Sequence, residues 1–334
     1  MITPVCRLVD WLAIEFAAAR MAAPDGREPR LEEMRQLLES PDFIPVAAEA
    51  ARVELTGPLR LRFETPRPGA FPENNTVHGR LYRCAERWQE HPTVVFLHGW
   101  NDATSHYFRF PRMAGQFNRN GFNAATLEAP FHFRRRPRRL GAWGNFLCPD
   151  VLRTVQAAAQ AVSETRAFTG WLLGQGCPAV GLMGISLGAW LAGLALCHDA
   201  RPACAVLIVP VARMDRLVEE AAFCRNIRRA LQGRRADLAQ LNLTAKRPVI
   251  PKESILLIEA VHDLFVPKET TEELWRAWEQ PDIWRLRHGH ISVLAAPGLT
   301  GRIAGWMAPR LRAPATRQSR CCQDKNATAA PPPA

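Results

Sequence analysis

The chain has 334 residues, 47% hydrophobic and 22% charged, the composition of an ordinary globular protein with apolar residues enough for a sizeable core. Forty-three Lys and Arg against 32 Asp and Glu leave a net charge of +11, mostly from arginine, whose planar guanidinium suits carboxylate and phosphate partners. Nine cysteines, with no Cys-x-x-Cys pair, argue against a disulfide frame or a zinc site, so a reducing, cytoplasmic setting is expected.

From the N-terminus, Val5, Leu8, Val9, Leu12 and Phe16 recur at helical spacing. They predict a helix whose apolar stripe faces the core, with a membrane-surface anchor as the alternative. Arg7, Asp10, Glu15 and Arg20 interrupt the segment, so neither a signal-peptide core nor a spanning helix is expected. A second helix is expected from Arg30 to Glu39, set off by Pro29 and Pro41, and residues 1–50 read as a helical extension. Segments 51–55, 59–65 and 76–84 alternate in polarity as antiparallel strands do.

From Thr93 onward, short apolar runs alternate with longer helical stretches, the pattern of a mostly parallel twisted sheet with helices on both faces. The expected strands are 93–97, 123–127, 179–183, 205–209, 254–259 and 283–286. The expected helices lie near 107–120, 150–173, 187–198, 270–278 and 298–309. Between the strands ending near Val209 and starting near Ser254 lie about 44 residues, where a parallel crossover needs only about a dozen. Met214–Arg229 is amphipathic, so residues 211–253 read as a helical cap insertion over the site, the alternative being a surface insertion with no role. The tail 309–334, ending Ala-Ala-Pro-Pro-Pro-Ala, reads as disordered, which leaves 51–308 as one α/β domain.

The chemistry gathers around Gly184-Ile185-Ser186-Leu187-Gly188, placed between an apolar strand and an apolar helix. Gly-x-Ser-x-Gly at such a junction is a nucleophile elbow: the turn is too tight for side chains flanking the serine. It also holds the serine oxygen at a helix N-terminus, where backbone N–H groups favour a developing anion. A serine hydroxyl needs a base, and the base an orienting carboxylate, both expected just beyond the carboxyl ends of later strands. Asp263, after the strand 254–259, is the expected acid, with Asp215 as its rival. His290, after the strand 283–286, is the expected base, with His288 as its rival. The order Ser, Asp, His is that of this strand–turn–helix scaffold. A metal cluster of His262, Asp263, His288 and His290 is conceivable but lacks a helical ligand pair, so neither metal nor cofactor is expected.

Stabilising a tetrahedral oxyanion takes two backbone donors. Leu187 N–H, directly after the serine, is one, and Trp100 N–H, in the loop His98-Gly99-Trp100 after the strand 93–97, is the other. Arg134, Arg135 and Arg136 open a stretch of six residues holding five arginines at the end of a core strand. They are candidates for contact with an anionic part of the substrate, against a plain solvated loop.

Together these residues resemble the alpha/beta-hydrolase superfamily from about Thr93 to Met307. A narrower resemblance lies in Glu128-Ala-Pro130-Phe131-His-Phe-Arg134-Arg135-Arg136-Pro137, in Gly184-Ile-Ser186-Leu-Gly188 and in Gly289-His290-Ile-Ser. It points to the branch called abhydrolase-domain-containing protein eighteen, whose members are thought to act on lipid esters. Ala189 replaces a second glycine common in that branch, and Arg287-His288-Gly289 stands where Gly-Gly-His is commoner. The resemblance implies a serine acyl hydrolase acting on a carboxylic ester, small-molecule or lipid, with association to a membrane surface held open. Acyl transfer, thioester or peptide hydrolysis are alternatives on the same fold. A basic, non-catalytic module binding anionic lipid or nucleic acid is the alternative outside enzymes, and nucleic acid is disfavoured because no nucleic-acid motif accompanies the arginines.

Overall fold

Apolar runs of five or six residues with every position buried supply the middle of a nine-stranded sheet. In chain order the strands are β1 (Glu54–Leu55), β2 (Arg60–Glu64), β3 (Thr76–Tyr82), β4 (Thr93–Leu97), β5 (Asn123–Leu127), β6 (Val180–Ile185), β7 (Cys204–Ile208), β8 (Ile255–Ala260) and β9 (Asp282–Leu286). Their spatial order is β1-β2-β3-β5-β4-β6-β7-β8-β9. From β5 to β9 every pairing is parallel, whereas β1–β3 form an antiparallel flap joined to β5. The computed structural model describes residues 2–24, 26–41, 43–45, 49–140 and 146–312.

Side-chain alternation along the strands divides the core in two. Val94 and Phe96 of β4 pack with α3 (Phe110–Arg119) and α9 (Leu299–Arg312) on one face of the sheet. Val95 and Leu97 face the other way, toward α4 (Val151–Gly174) and α5 (Leu187–Leu196). Asp150 caps α4 by accepting the Arg153 N–H at 3.3 Å, satisfying one of the free donors of its first turn. The rest of the helical layer is α1 (Ile2–Arg20), α2 (Leu31–Glu39), α6 (Met214–Glu220), α7 (Arg225–Ala230) and α8 (Lys268–Ala277).

Three expectations need correction. The stripe Val5, Leu8, Val9, Leu12 and Phe16 of α1 faces outward, between 37% and 60% exposed. The buried face is instead Cys6, Asp10, Ile14, Ala17, Ala18 and Met21. Small residues let α1 approach closely, and its one inward carboxylate is satisfied by hydrogen bonds, so the less apolar face is the packed one. The expected helix Met214–Arg229 is broken into α6 and α7 by a turn at Ala222–Cys224. Finally, α9 passes through Pro309 to Arg312, because Leu311 is buried on the sheet and Arg312 donates to the Asn120 carbonyl at 2.9 Å. The disorder expected of the tail falls on residues 313–334, outside the described residues.

The later part of the segment between β7 and β8 runs along α5, where Val249 N–H donates to the Leu196 carbonyl at 2.8 Å. Two core tryptophans pin it: Trp190 Nε1 donates to the Leu241 carbonyl at 2.7 Å, and Trp278 Nε1 to that of Leu243 at 3.0 Å. On its other side α1 packs against the turns Ala222–Cys224 and Ser292–Ala295. No helix among the described residues is long and apolar enough to cross a membrane.

Candidate active site

Ser186 sits where β6 turns directly into α5, with φ 54° and ψ −114°. For a residue other than glycine such a conformation costs about 1–3 kcal/mol and persists only where the surroundings over-determine it. They do so here by crowding. A Cβ at Gly184 would lie 2.2 Å from the Gly188 carbonyl oxygen, and one at Gly188 would lie 2.1 Å from that of Leu97. Ser186 N–H donates to the Ile208 carbonyl at 2.8 Å, which fixes the turn to β7.

His290 and Asp263 arrive from the loops after β9 and β8. His290 Nε2 lies 2.9 Å from Ser186 Oγ, and Nδ1 lies 2.7 Å from Asp263 Oδ2. A carboxylate only accepts, so Nδ1 carries the proton and Nε2 is free to accept the serine proton. The other oxygen of Asp263 accepts the N–H groups of Phe265 at 2.7 Å and Val266 at 3.0 Å. The Phe265 ring stacks on the imidazole with centroids 4.7 Å apart. Burial of the ring opposes its protonation, but the charge and hydrogen bond of Asp263, aided by Asp10 and Asp102, outweigh it and raise His290 above the ordinary imidazole value.

The rivals lie elsewhere. His288 makes no hydrogen bond to Ser186; its carbonyl accepts the His262 N–H at 2.9 Å. Asp215 is engaged by Arg213, with Nε at 2.9 Å and Nη2 at 2.7 Å. Among the described residues no group of three or more His, Cys, Asp or Glu side chains could hold a metal ion.

Trp100 and Leu187 both line the cavity that Ser186 and His290 face. Gly99 brings the loop against the elbow, where its Cβ would lie 3.6 Å from the Ile185 carbonyl oxygen. Two histidines that the sequence reading passed over brace this loop. His98 bonds the Gly99 carbonyl at 2.8 Å through Nδ1 and accepts the Ala129 N–H at 3.0 Å through Nε2. His132 accepts the Asn101 N–H at 3.1 Å and bonds the Pro130 carbonyl at 2.8 Å. Burial, with His106 nearby, pushes His98 down to about 4, so both ring nitrogens are committed to a neutral brace. The available signals were the adjacency of His98 to Gly99 and the place of His132 within the run Glu128 to Pro137.

The cavity holds about 90 Å³. Leu147 and Leu294 wall it, and Val211, Met214, Leu217 and Phe223 close it from the segment between β7 and β8. Phe223 stacks on Trp100 at 5.7 Å and leans on Phe265 at 5.7 Å, so an aromatic row runs from the loop after β4 to His290. Asp102 and His290 are the titratable side chains that line it.

The arginines are not among its lining residues. Arg135 is 0% exposed and grips Glu164 with both Nη atoms at 2.7 and 2.6 Å, while also donating to the carbonyls of Glu128 and Asn74. Arg134 pairs with Glu128 through Nε at 2.9 Å. Burial opposes ionisation of Glu128, but His106 and the Arg134 guanidinium outweigh it and hold the carboxyl down at about 2. Arg136 is half-buried beside them. The expected contact with a substrate anion is therefore corrected: Arg134 and Arg135 neutralise two carboxylates that could not be buried alone.

The fold recurs in solved structures. The esterase Pf2001 of Pyrococcus furiosus superposes with a TM-score of 0.53 at 15% identity, covering 79% of this chain and 100% of that one. Acetyl xylan esterase 1 of Thermoanaerobacterium sp. JW/SL YS485 does so with a TM-score of 0.58 at 13% identity, covering 89% and 98%. An uncharacterised protein of Mycobacterium tuberculosis, found in strains CDC 1551 and H37Rv, is 27% identical over 278 residues, 75% of this chain. This chain spans 64% of the length of those relatives. Residues 59–225, from the antiparallel flap through the elbow into the first helices beyond β7, match the family described as alpha/beta hydrolase domain containing 18. The fold, the elbow and this match make the chain a member of that family, within the alpha/beta hydrolases.

Proposed function

We propose that the protein is a serine acyl hydrolase that cleaves carboxylic esters through an acyl-enzyme on Ser186. The observation that carries this reading is the continuous chain Ser186 Oγ, His290, Asp263, linked at 2.9 and 2.7 Å on the floor of an apolar cavity. Ser186 attacks the ester carbonyl while His290 Nε2 takes its proton. The tetrahedral oxygen is held by Trp100 and Leu187 N–H. His290 then donates its proton to the leaving alcohol oxygen as the C–O bond breaks. Water repeats the sequence, His290 accepting its proton as the hydroxyl adds to the acyl carbon and returning it to Ser186 Oγ. Asp263 keeps the imidazole in one tautomer and offsets the charge it gains.

The walls formed by Leu147, Val211, Met214, Leu217, Phe223 and Leu294 favour an uncharged, apolar acyl group, such as that of a small-molecule or lipid ester. This chemistry needs no cofactor, and residues 211–253 act as the cap that closes the acyl site. A fluorophosphonate probe tests the reading. It should label Ser186, identified by peptide mass, and Ser186→Ala should abolish both labelling and hydrolysis of p-nitrophenyl esters. Labelling at another residue, or ester turnover in the alanine variant above a tenth of wild type, would overturn it.

A further inference from the structure

The inner face of α1 carries a carboxylate the triad reading does not use. Asp10 is 0% exposed. Its Oδ2 accepts the N–H of His290 at 2.7 Å and that of Leu264 at 3.2 Å, and its Oδ1 accepts the N–H of Ile291 at 3.0 Å. One side chain thus holds the backbone of the base, of the residue after the base and of the residue after the acid. Gly289 is shaped around it, since a Cβ there would lie 2.7–2.9 Å from the carboxylate.

Hydrophobic packing does not explain this arrangement. Burying a carboxylate carries a large desolvation penalty, which three backbone donors offset only in part. Accordingly burial raises Asp10 above its ordinary value, backbone donation from Ile291 and His290 lowers it, and repulsion from Asp263 raises it again. The charged groups facing His290 are Asp263, Asp10 and Asp102. An apolar residue at position 10 would pack more cheaply but would leave the two loops untethered.

We infer that Asp10 is a positioning residue: it locks the Asp263 and His290 loops in register and sets a negative charge behind the imidazole. This rests on the reading of Ser186, Asp263 and His290 as the triad. The consequence is that α1, far from the elbow in sequence, completes the site. As His290 takes the serine proton it becomes a cation, and Asp10 favours that form without touching substrate. Asparagine could accept through one oxygen only, and its amide would point a donor at a backbone N–H that already needs an acceptor.

The test uses the full chain and Asp10→Asn. Wild type and Ser186→Ala, assayed alongside with the fluorophosphonate probe, decide the triad reading by themselves. If the triad stands, Asp10→Asn should lower kcat about 10²-fold with little change in KM, as expected for a small misplacement of reacting groups. The acidic limb of its kcat/KM profile should also move to lower pH, because removing a nearby anion disfavours the imidazolium. A direct NMR titration of the His290 imidazole should move the same way, whether or not any ester is turned over. Gly289→Ala, which crowds the carboxylate from the loop side and leaves α1 intact, should reproduce the kcat loss. Wild-type kcat and an unmoved His290 titration in Asp10→Asn would overturn the inference. So would collapse of the fold in both variants, which would make Asp10 purely structural.

Discussion

The arginine loop and the N-terminal helix exchange the places their sequences suggest. Five arginines in six residues look like a surface for anions, yet Arg135 is wholly buried against Glu164 and Arg134 serves Glu128. The N-terminal helix has the hydropathy of a packing element, yet it shows its apolar stripe to the outside and delivers Asp10 to the loops after β8 and β9. Charge density and apolar spacing say what a segment could bind. They do not say which of its faces is satisfied inside the molecule, and that is settled by partners elsewhere in the chain.

Ser186→Ala sets the scale against which both regions are judged. It should lower kcat by about 10⁴–10⁶-fold while leaving the melting temperature close to wild type, since only one half-buried oxygen is removed. His290→Ala and Asp263→Asn should be inactive on the same scale, and His288→Ala and Asp215→Ala should retain activity. A dead His288→Ala beside an active His290→Ala, read in the same ester assay, would move the base by two residues and detach Asp10 from the mechanism.

Arg135→Leu is the next largest effect, and it separates a structural arginine from a functional one. Removing one partner of a buried pair leaves Glu164 uncompensated, a loss of about 3–5 kcal/mol measurable by denaturant unfolding. Replacing Arg135 and Glu164 together by Leu and Gln should recover part of that loss. In whatever fraction stays folded, the preference between neutral and anionic esters should match wild type. A selectivity change without a stability change would return the arginine loop to the site.

The difference between these regions also marks what was legible in advance. The strands and the elbow are local: β4 through β8 are runs whose own residues demand burial, and Gly184, Ser186 and Gly188 meet within one turn. That Asp263 and His290 come together beside Ser186 was legible because chain order and strand ends restrict where an acid and a base can be expected. Asp10 was not, because its partners are backbone N–H groups, which every residue but proline has, and His290 is 280 positions away. The break between α6 and α7 was hidden for a related reason: the amphipathic pattern of Met214–Arg229 continues through the turn that lowers Phe223 onto Trp100.

Acidity probes the N-terminal half of the comparison more gently. In the proposed mechanism His290 must be neutral to accept the serine proton, and its value is raised by the carboxylates around it. Activity should therefore climb with pH through a midpoint above the ordinary imidazole value, and the kcat/KM profile of wild type reads that midpoint directly. For stability the sign is opposite. A group whose folded value is raised contributes stability that is fully present below its unfolded value and fades as pH rises through the folded one. Denaturant midpoints at several pH values should thus show the His290 contribution shrinking over the window in which activity appears. Asp263→Asn should remove most of this window; a wild-type midpoint below that of free imidazole would deny the carboxylates their role.

The smallest effect belongs to the outer face of α1. Leu8 and Leu12 are each 54% exposed, so little apolar area returns to water when they are changed. Leu8→Gln and Leu12→Gln should each alter unfolding free energy by no more than about 0.5 kcal/mol, the range of surface substitutions away from special features. Turnover of a soluble p-nitrophenyl ester should be unchanged, because Asp10, on the opposite side of the same helix, keeps its three backbone contacts. The contrast within one helix is the sharpest form of the comparison: two large apolar residues whose loss should be silent, and one buried carboxylate whose loss should slow the reaction. A loss of several kcal/mol in either glutamine variant would mean that the stripe is packed in solution after all, and the hydropathy pattern would regain the meaning its spacing first suggested.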